Sequence, residues 1–292
     1  TLGAATLTVG ADGASADYAG VISGTGGLTK TGAGTQTLSG DNTYGGDTVI
    51  SGGILRLGAA AAIQASTLNY DNQGGSLSFG GLTAATIGGL KGAQNLALVN
   101  DSVQNVALTV GGNGLSTTHS GVISGGGSLV KTGAGSLTLT GNNTYTGTTT
   151  VSGGSLGMGG ISSGTGAITV NTGTLVGITG GSCSNSDVTV ATASATNNVL
   201  VTDTNLQWAC KSLTFSAAGR LDFGFGSSLI PSPSKAPLKV DGSVDFSGSP
   251  TVSIAGSWTN LPLSVGDGYP LMSWTGNTNG TPPTAAILNA SV

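Results

Sequence analysis

The 292-residue chain carries only 7% charged residues, eight basic against twelve acidic for a net charge of −4, and every acid is an aspartate. So few Lys and Arg argue against a nucleic-acid partner, which needs clustered cations, and the low net charge with abundant Val, Ile and Thr argues against a disordered chain. With 54 glycines and few strong helix formers, the composition is that of an all-β protein.

No run of about 18 apolar residues offers a transmembrane helix. No basic-then-apolar leader stands at Thr1, so any secretion signal is expected to have been removed or to lie outside the sequence. From Leu7 the chain reads LTVGADGAS, and from Gly20 GVISGTGGLTKTGAGTQTLSGDNTYGGDTVISGG; an offset of 101 residues brings nearly the same text back. Residues 7–58 and 108–159 align with 31 of 52 positions identical. Within each copy, stretches such as GLTKTG, TQTLSG and DTVISGG read as short strands with glycine corners. The residues between the copies, Ala59–Ala107, have the same texture; STLNYDNQGGSLSFGG and QNLALVNDSVQNVALTVGG each read as strand, tight turn, strand.

Such a pattern admits a sandwich of hairpins or a solenoid of stacked coils. The duplication favours the solenoid, because each coil is buried by its neighbours and can be copied without remodelling a closed core. About 20–25 residues per coil are expected.

The last third differs. All eight prolines lie at or after Pro231, and Trp208, Trp258 and Trp274 all follow residue 200. LIPSPSKAPLKV (Leu229–Val240) reads as a loop, Asp241-Gly242 as a hairpin turn, and GYPLMSWTG as a further strand. This divides the chain into a solenoid, 1–180, and a β-rich region, 181–292, expected to cap the solenoid or serve in assembly, with Ser227–Val292 expected to be built differently from the repeat.

The two phrases follow GxGxLxKTGAGxxTLxGxNTYxGxT from Gly24 and Gly125 and run on to Leu55 and Leu156. They resemble the autotransporter-associated β-strand repeat, also called the passenger-associated transport repeat. The resemblance implies a right-handed parallel β-helix exported from a bacterium, with no single activity attached.

Candidate chemistry is sparse. His119 is the sole histidine and aligns with Tyr18, so it reads as a surface or spacer position, and no nucleophile–base constellation can be assembled. Asp41 with Asp47 and Asp241 with Asp245 are the nearest approach to paired carboxylates, and read as turn and surface residues. The glycines around Gly24 and Gly32 complete no phosphate-binding motif and read as corners. Lys30 and Lys131 hold the same place in each copy and read as solvent-facing charges that discourage edge pairing. Asn42, Tyr44, Asn143 and Tyr145 read as corner residues, with carbohydrate stacking as an alternative for the tyrosines. Cys183 and Cys210 are the right number for one disulfide.

No catalytic residue, metal site or cofactor is expected. The chain reads as a secreted or cell-surface bacterial structural protein: a stiff stalk, adhesin scaffold or self-assembling fibre, with head-to-tail self-association as the expected partnership. A glycan-binding module is the alternative. A polysaccharide-cleaving enzyme, or ice binding through Thr148-Thr149-Thr150, is weaker.

Overall fold

The computed structural model describes residues 1–71, 73–225, 229, 232, 234–255, 270–281 and 285–287; Pro231, Pro233 and Trp258 lie outside them. Among the described residues there is no helix, and every regular element is a β-strand. They form two compact units, Thr1–Thr149 and Thr150–Val292. Each is a parallel β-solenoid.

In the first unit, strands Leu7–Val9, Leu28–Lys30, Thr48–Ile50 and Ile63–Asn69 stack in parallel on one side of successive coils. Leu7 stands beside Leu28, Leu28 beside Thr48 and Thr48 beside Leu68, so each step along this column is one coil. A second side stacks Ala16–Tyr18, Thr35–Leu38, Gly53–Leu57 and Gly75–Ser78. The third side is irregular, held by coil-to-coil bonds such as Thr43 N–H to the Ile22 carbonyl and Gly45 N–H to the Gly24 carbonyl. Alternate residues point inward, so Leu28, Leu38, Leu55, Leu57, Ile63 and Leu68 are all buried.

The second repeat follows the same rule, with Leu108 beside Leu129 and Thr117–His119 beside Leu137–Leu139. In one place the chain departs from the coil: Val99 and Asn105 form an antiparallel bridge around a tight turn capped by Asn100. That matches the strand–turn–strand expectation for this stretch. The first such stretch also runs strand, bend, strand, Ile63–Asn69 and then Gly75–Ser78, with the two strands on different sides of the coil.

In the second unit, strands Ile168–Ile178, Ser182–Val190, Ala195–Val201, Trp208–Phe215 and Arg220–Phe225 continue parallel pairing. Val188, Leu213 and Val244 make one buried column, and Phe215 stacks on Phe246 with ring centroids 6.2 Å apart. The proline-containing part differs in coil length rather than in strand pairing. The coil from Ile168 to Val188 matches those of the first unit, whereas those from Trp208 to Leu238 and from Leu238 to Met272 are at least half as long again.

The Asp241-Gly242 hairpin is not formed. Leu238–Val240 and Val244–Asp245 instead each pair in parallel with strands of other coils. Asp-Gly chemistry specifies a sharp bend, and a solenoid corner uses that bend as well as a hairpin does.

Candidate functional site

The recurring phrase forms the corners of the coil. In the first, Lys30 lies in the inward column between Val9 and Ile50 and is fully buried, as is Lys131 beside Val110. The expectation of solvent-facing lysines is therefore corrected. Lys30 Nζ donates to the carbonyls of Thr31 at 2.5 Å, Gly32 at 3.0 Å and Gly52 at 3.2 Å, so it ties its own corner to that of the next coil. Lys131 Nζ donates to Thr132 at 2.5 Å and Gly133 at 3.2 Å. Burial holds both ammonium groups below the ordinary lysine value, with the Asp12 carboxylate acting in the opposite sense on Lys30. The carbonyls stabilise the charged form as well. Gly32 and Gly133 are required here: both have φ above +60°, and a Cβ at either would meet the carbonyl oxygen of Gly10 or Gly111 at about 2 Å.

The second corner is organised by Asn42. Its Oδ1 accepts from Ile22 N–H at 2.7 Å, and its Nδ2 donates to the carbonyls of Gly40 at 3.1 Å and Ala62 at 2.8 Å. One buried amide thus joins three coils with its own oxygen and nitrogen both bonded. Asn143 repeats the arrangement with Ile123 N–H and the Gly141 carbonyl. Tyr44 and Tyr145 turn inward and are buried; each hydroxyl pairs at 2.6 Å with the threonine four residues on, Thr48 or Thr149. From Thr48 the bonds run on through Ser66 Oγ to the Gly46 carbonyl. Burial pushes the Tyr44 phenol up to about 12. With their rings enclosed, neither tyrosine offers a face to a sugar.

His119 is also buried, on the inward face beside Leu139, which corrects its reading as a surface position. The Gly92 carbonyl lies near it, but neither ring nitrogen makes a hydrogen bond of normal geometry, and desolvation lowers its pKa to about 4. Of the candidate aspartates, Asp41 is exposed and the other three are occupied separately. Asp47 pairs with Lys91 at 2.5 Å and Asp241 with Lys239 at 2.5 Å, while Asp245 accepts from Ser247 N–H and Asn279.

The second unit contains features that sequence reasoning missed. Asn197 is fully buried between Leu175 and Leu221, with neither amide atom hydrogen-bonded. Trp208 is enclosed over Gly177, where a Cβ would come within about 2.1 Å of the indole, and its Nε1 has no partner. Outside, a groove of about 210 Å³ is lined by Asn198, Arg220, Asp222, Gly224 and Ser253. Arg220 and Asp222 pair there at 3.0 Å. Cys183 and Cys210 are both buried and stand directly opposite each other in the ladder as free thiols.

The passenger-associated-transport-repeat family model matches residues 28–57 and 129–157. The first unit holds the whole of the first match and most of the second. No curated protein matches the chain, and no solved structure does.

Proposed function

We propose that this chain, which carries two passenger-associated transport repeats, is a passenger-type structural segment displayed at or released from a bacterial surface, where its coils serve as a stiff scaffold. The supporting observation is the direction in which the recurring residues face. Lys30, Asn42, Tyr44 and Thr48, with their counterparts Lys131, Asn143, Tyr145 and Thr149, are buried and bonded within the coil stack. What the repeat preserves is therefore a set of joints between coils. The parallel solenoid and the repeat family support a structural role and export.

The test is antibody labelling of intact and permeabilised cells of the producing bacterium, with protease shaving of the intact cells. Labelling of intact cells and release of the chain by protease are expected. Signal confined to permeabilised cells overturns the reading.

Head-to-tail self-association belongs to the same proposal, since strand Ala16–Tyr18 stands at the edge of its sheet with Tyr18 and Val21 exposed. Sedimentation velocity across a concentration series should show growing species; a concentration-independent monomer overturns it. The Asn198–Arg220–Asp222 groove favours a second reading, glycan binding, because it sets an amide, a guanidinium and a carboxylate side by side. A glycan array probed with the chain and with Asp222→Ala decides it: hits lost in the variant support the groove, and no hits exclude it.

A further inference from the structure

Cys183 and Cys210 occupy paired positions on neighbouring coils, immediately after the Ser182–Ala209 pair. Both side chains face the interior and are fully buried. Neighbouring strands lie about 4.8 Å apart, within the Cα separation of about 4.4–6.8 Å that a disulfide spans. The register then slips, so that Asp187 is the next residue paired, with Ser212. The extra residues bulge just after Cys183, and a bulge frees the local backbone to turn a side chain. Beyond it the coils are clamped: Asp187 accepts from Lys211 Nζ at 2.9 Å and Ser212 Oγ at 2.6 Å. The two thiols thus face each other in register between the Ser182–Ala209 pair and the Asp187–Ser212 pair.

We propose that Cys183 and Cys210 are a modification site, oxidised during folding to a disulfide that links two adjacent coils of the second unit. In the step, one thiolate attacks a disulfide donor, such as oxidised glutathione or a protein dithiol oxidase, and one donor thiolate leaves. The second cysteine thiolate then displaces the remaining donor thiolate and closes the S–S bond. The protein loses two protons and two electrons, and the donor disulfide is reduced to two thiols. The reaction belongs to folding because the finished structure prevents it: burial raises both thiols, Cys210 to about 12, and leaves no path for a donor. The same enclosure shields the completed bond from reductants. An oxidising location follows from the export reading, but the chemistry can be tested without it.

The full chain is unfolded and reduced, then refolded with and without a mixture of reduced and oxidised glutathione. It is next denatured in N-ethylmaleimide and weighed intact. Glutathione-refolded protein should take up no label, lose two hydrogens and yield a Cys183–Cys210 linked peptide. In native buffer its reduction by dithiothreitol should be slowed at least about 100-fold relative to denatured protein. Cys210→Ser should take up one label on denaturation and form no linked peptide. Two labels after oxidative refolding, a glutathione adduct, or a bond between two chains each overturns the proposal. So does an oxidised product lacking the native fluorescence of the reduced refolded chain. Failure of surface labelling would count against export and leave this result standing.

Discussion

Lys30 and Lys131 hold equivalent places in the two copies and make the same bond: each Nζ donates at 2.5 Å to the carbonyl of the threonine that follows it, beneath a glycine of the preceding coil. An ammonium holding several enclosed carbonyls is a charge-assisted joint, and removing it strands the acceptors. Lys30→Met keeps the apolar stem and should destabilise the first unit by about 2–3 kcal/mol. Lys131→Met should cost a similar amount, and the two should be close to additive because the sites stand several coils apart. Urea denaturation of the single and double variants checks this. Unchanged midpoints would show that the bonds contribute nothing net.

Asn42→Ala removes an acceptor and two donations at once. The Ile22 amide should then exchange with solvent about 10–100-fold faster, since each 1.4 kcal/mol is a factor of ten. Asn143→Ala should do the same to the Ile123 amide and leave Ile22 as it was. Residue-resolved hydrogen exchange distinguishes this local loosening from a uniform loss of stability.

Asn197 should behave in the opposite way. Its unpaired amide interrupts a column of Leu175 and Leu221, and an unsatisfied buried amide costs about 1–3 kcal/mol. Asn197→Leu is therefore expected to raise the denaturation midpoint. A lower midpoint would mean that the amide is satisfied in solution or that the site rejects a branched side chain.

The folded chain binds a proton on His119 more weakly than an unfolded one does, because its pKa falls from 6.5 to about 4. Its contribution is full above pH 6.5, shrinks by up to about 3 kcal/mol as pH falls towards 4, and is constant below that. Asp187 and Asp245 are held below the ordinary carboxylate value by their hydrogen bonds, so their contribution fades only at lower pH. His119→Leu should remove the loss between pH 6.5 and 4 and leave the more acidic limb. Stability measured against pH in both proteins is decisive, and identical curves would rule His119 out.

The solenoid was legible in the sequence because duplication and glycine spacing report coil geometry directly, and the coils of the first unit, apart from the longer one that carries the Val99–Asn105 bridge, have the length expected. The lysines were misread although the signal was present. Leu28, Thr29 and Lys30 alternate, so Lys30 shares the face of Leu28, and a charge was given more weight than parity. The setting of His119 was harder to see, since its neighbours Gly92 and Leu139 come from coils before and after it. Asn197 and Trp208 gave no periodic signal, because the chain after residue 159 has no duplicated text against which to compare them.

Asn42 bonds to Ile22 on one neighbouring coil and Ala62 on the other, at equal separations along the chain, and Asn143 bonds to Ile123 at the same remove. Such a side chain acts as a gauge. A residue inserted between Asn42 and Ala62 would carry the carbonyl out of reach of Nδ2, whereas the coils after Trp208, in which no described asparagine bonds to both neighbouring coils, run far longer. Where the asparagine stands, the circumference of the coil is fixed from within, and variation in length is left to the part of the chain that lacks it.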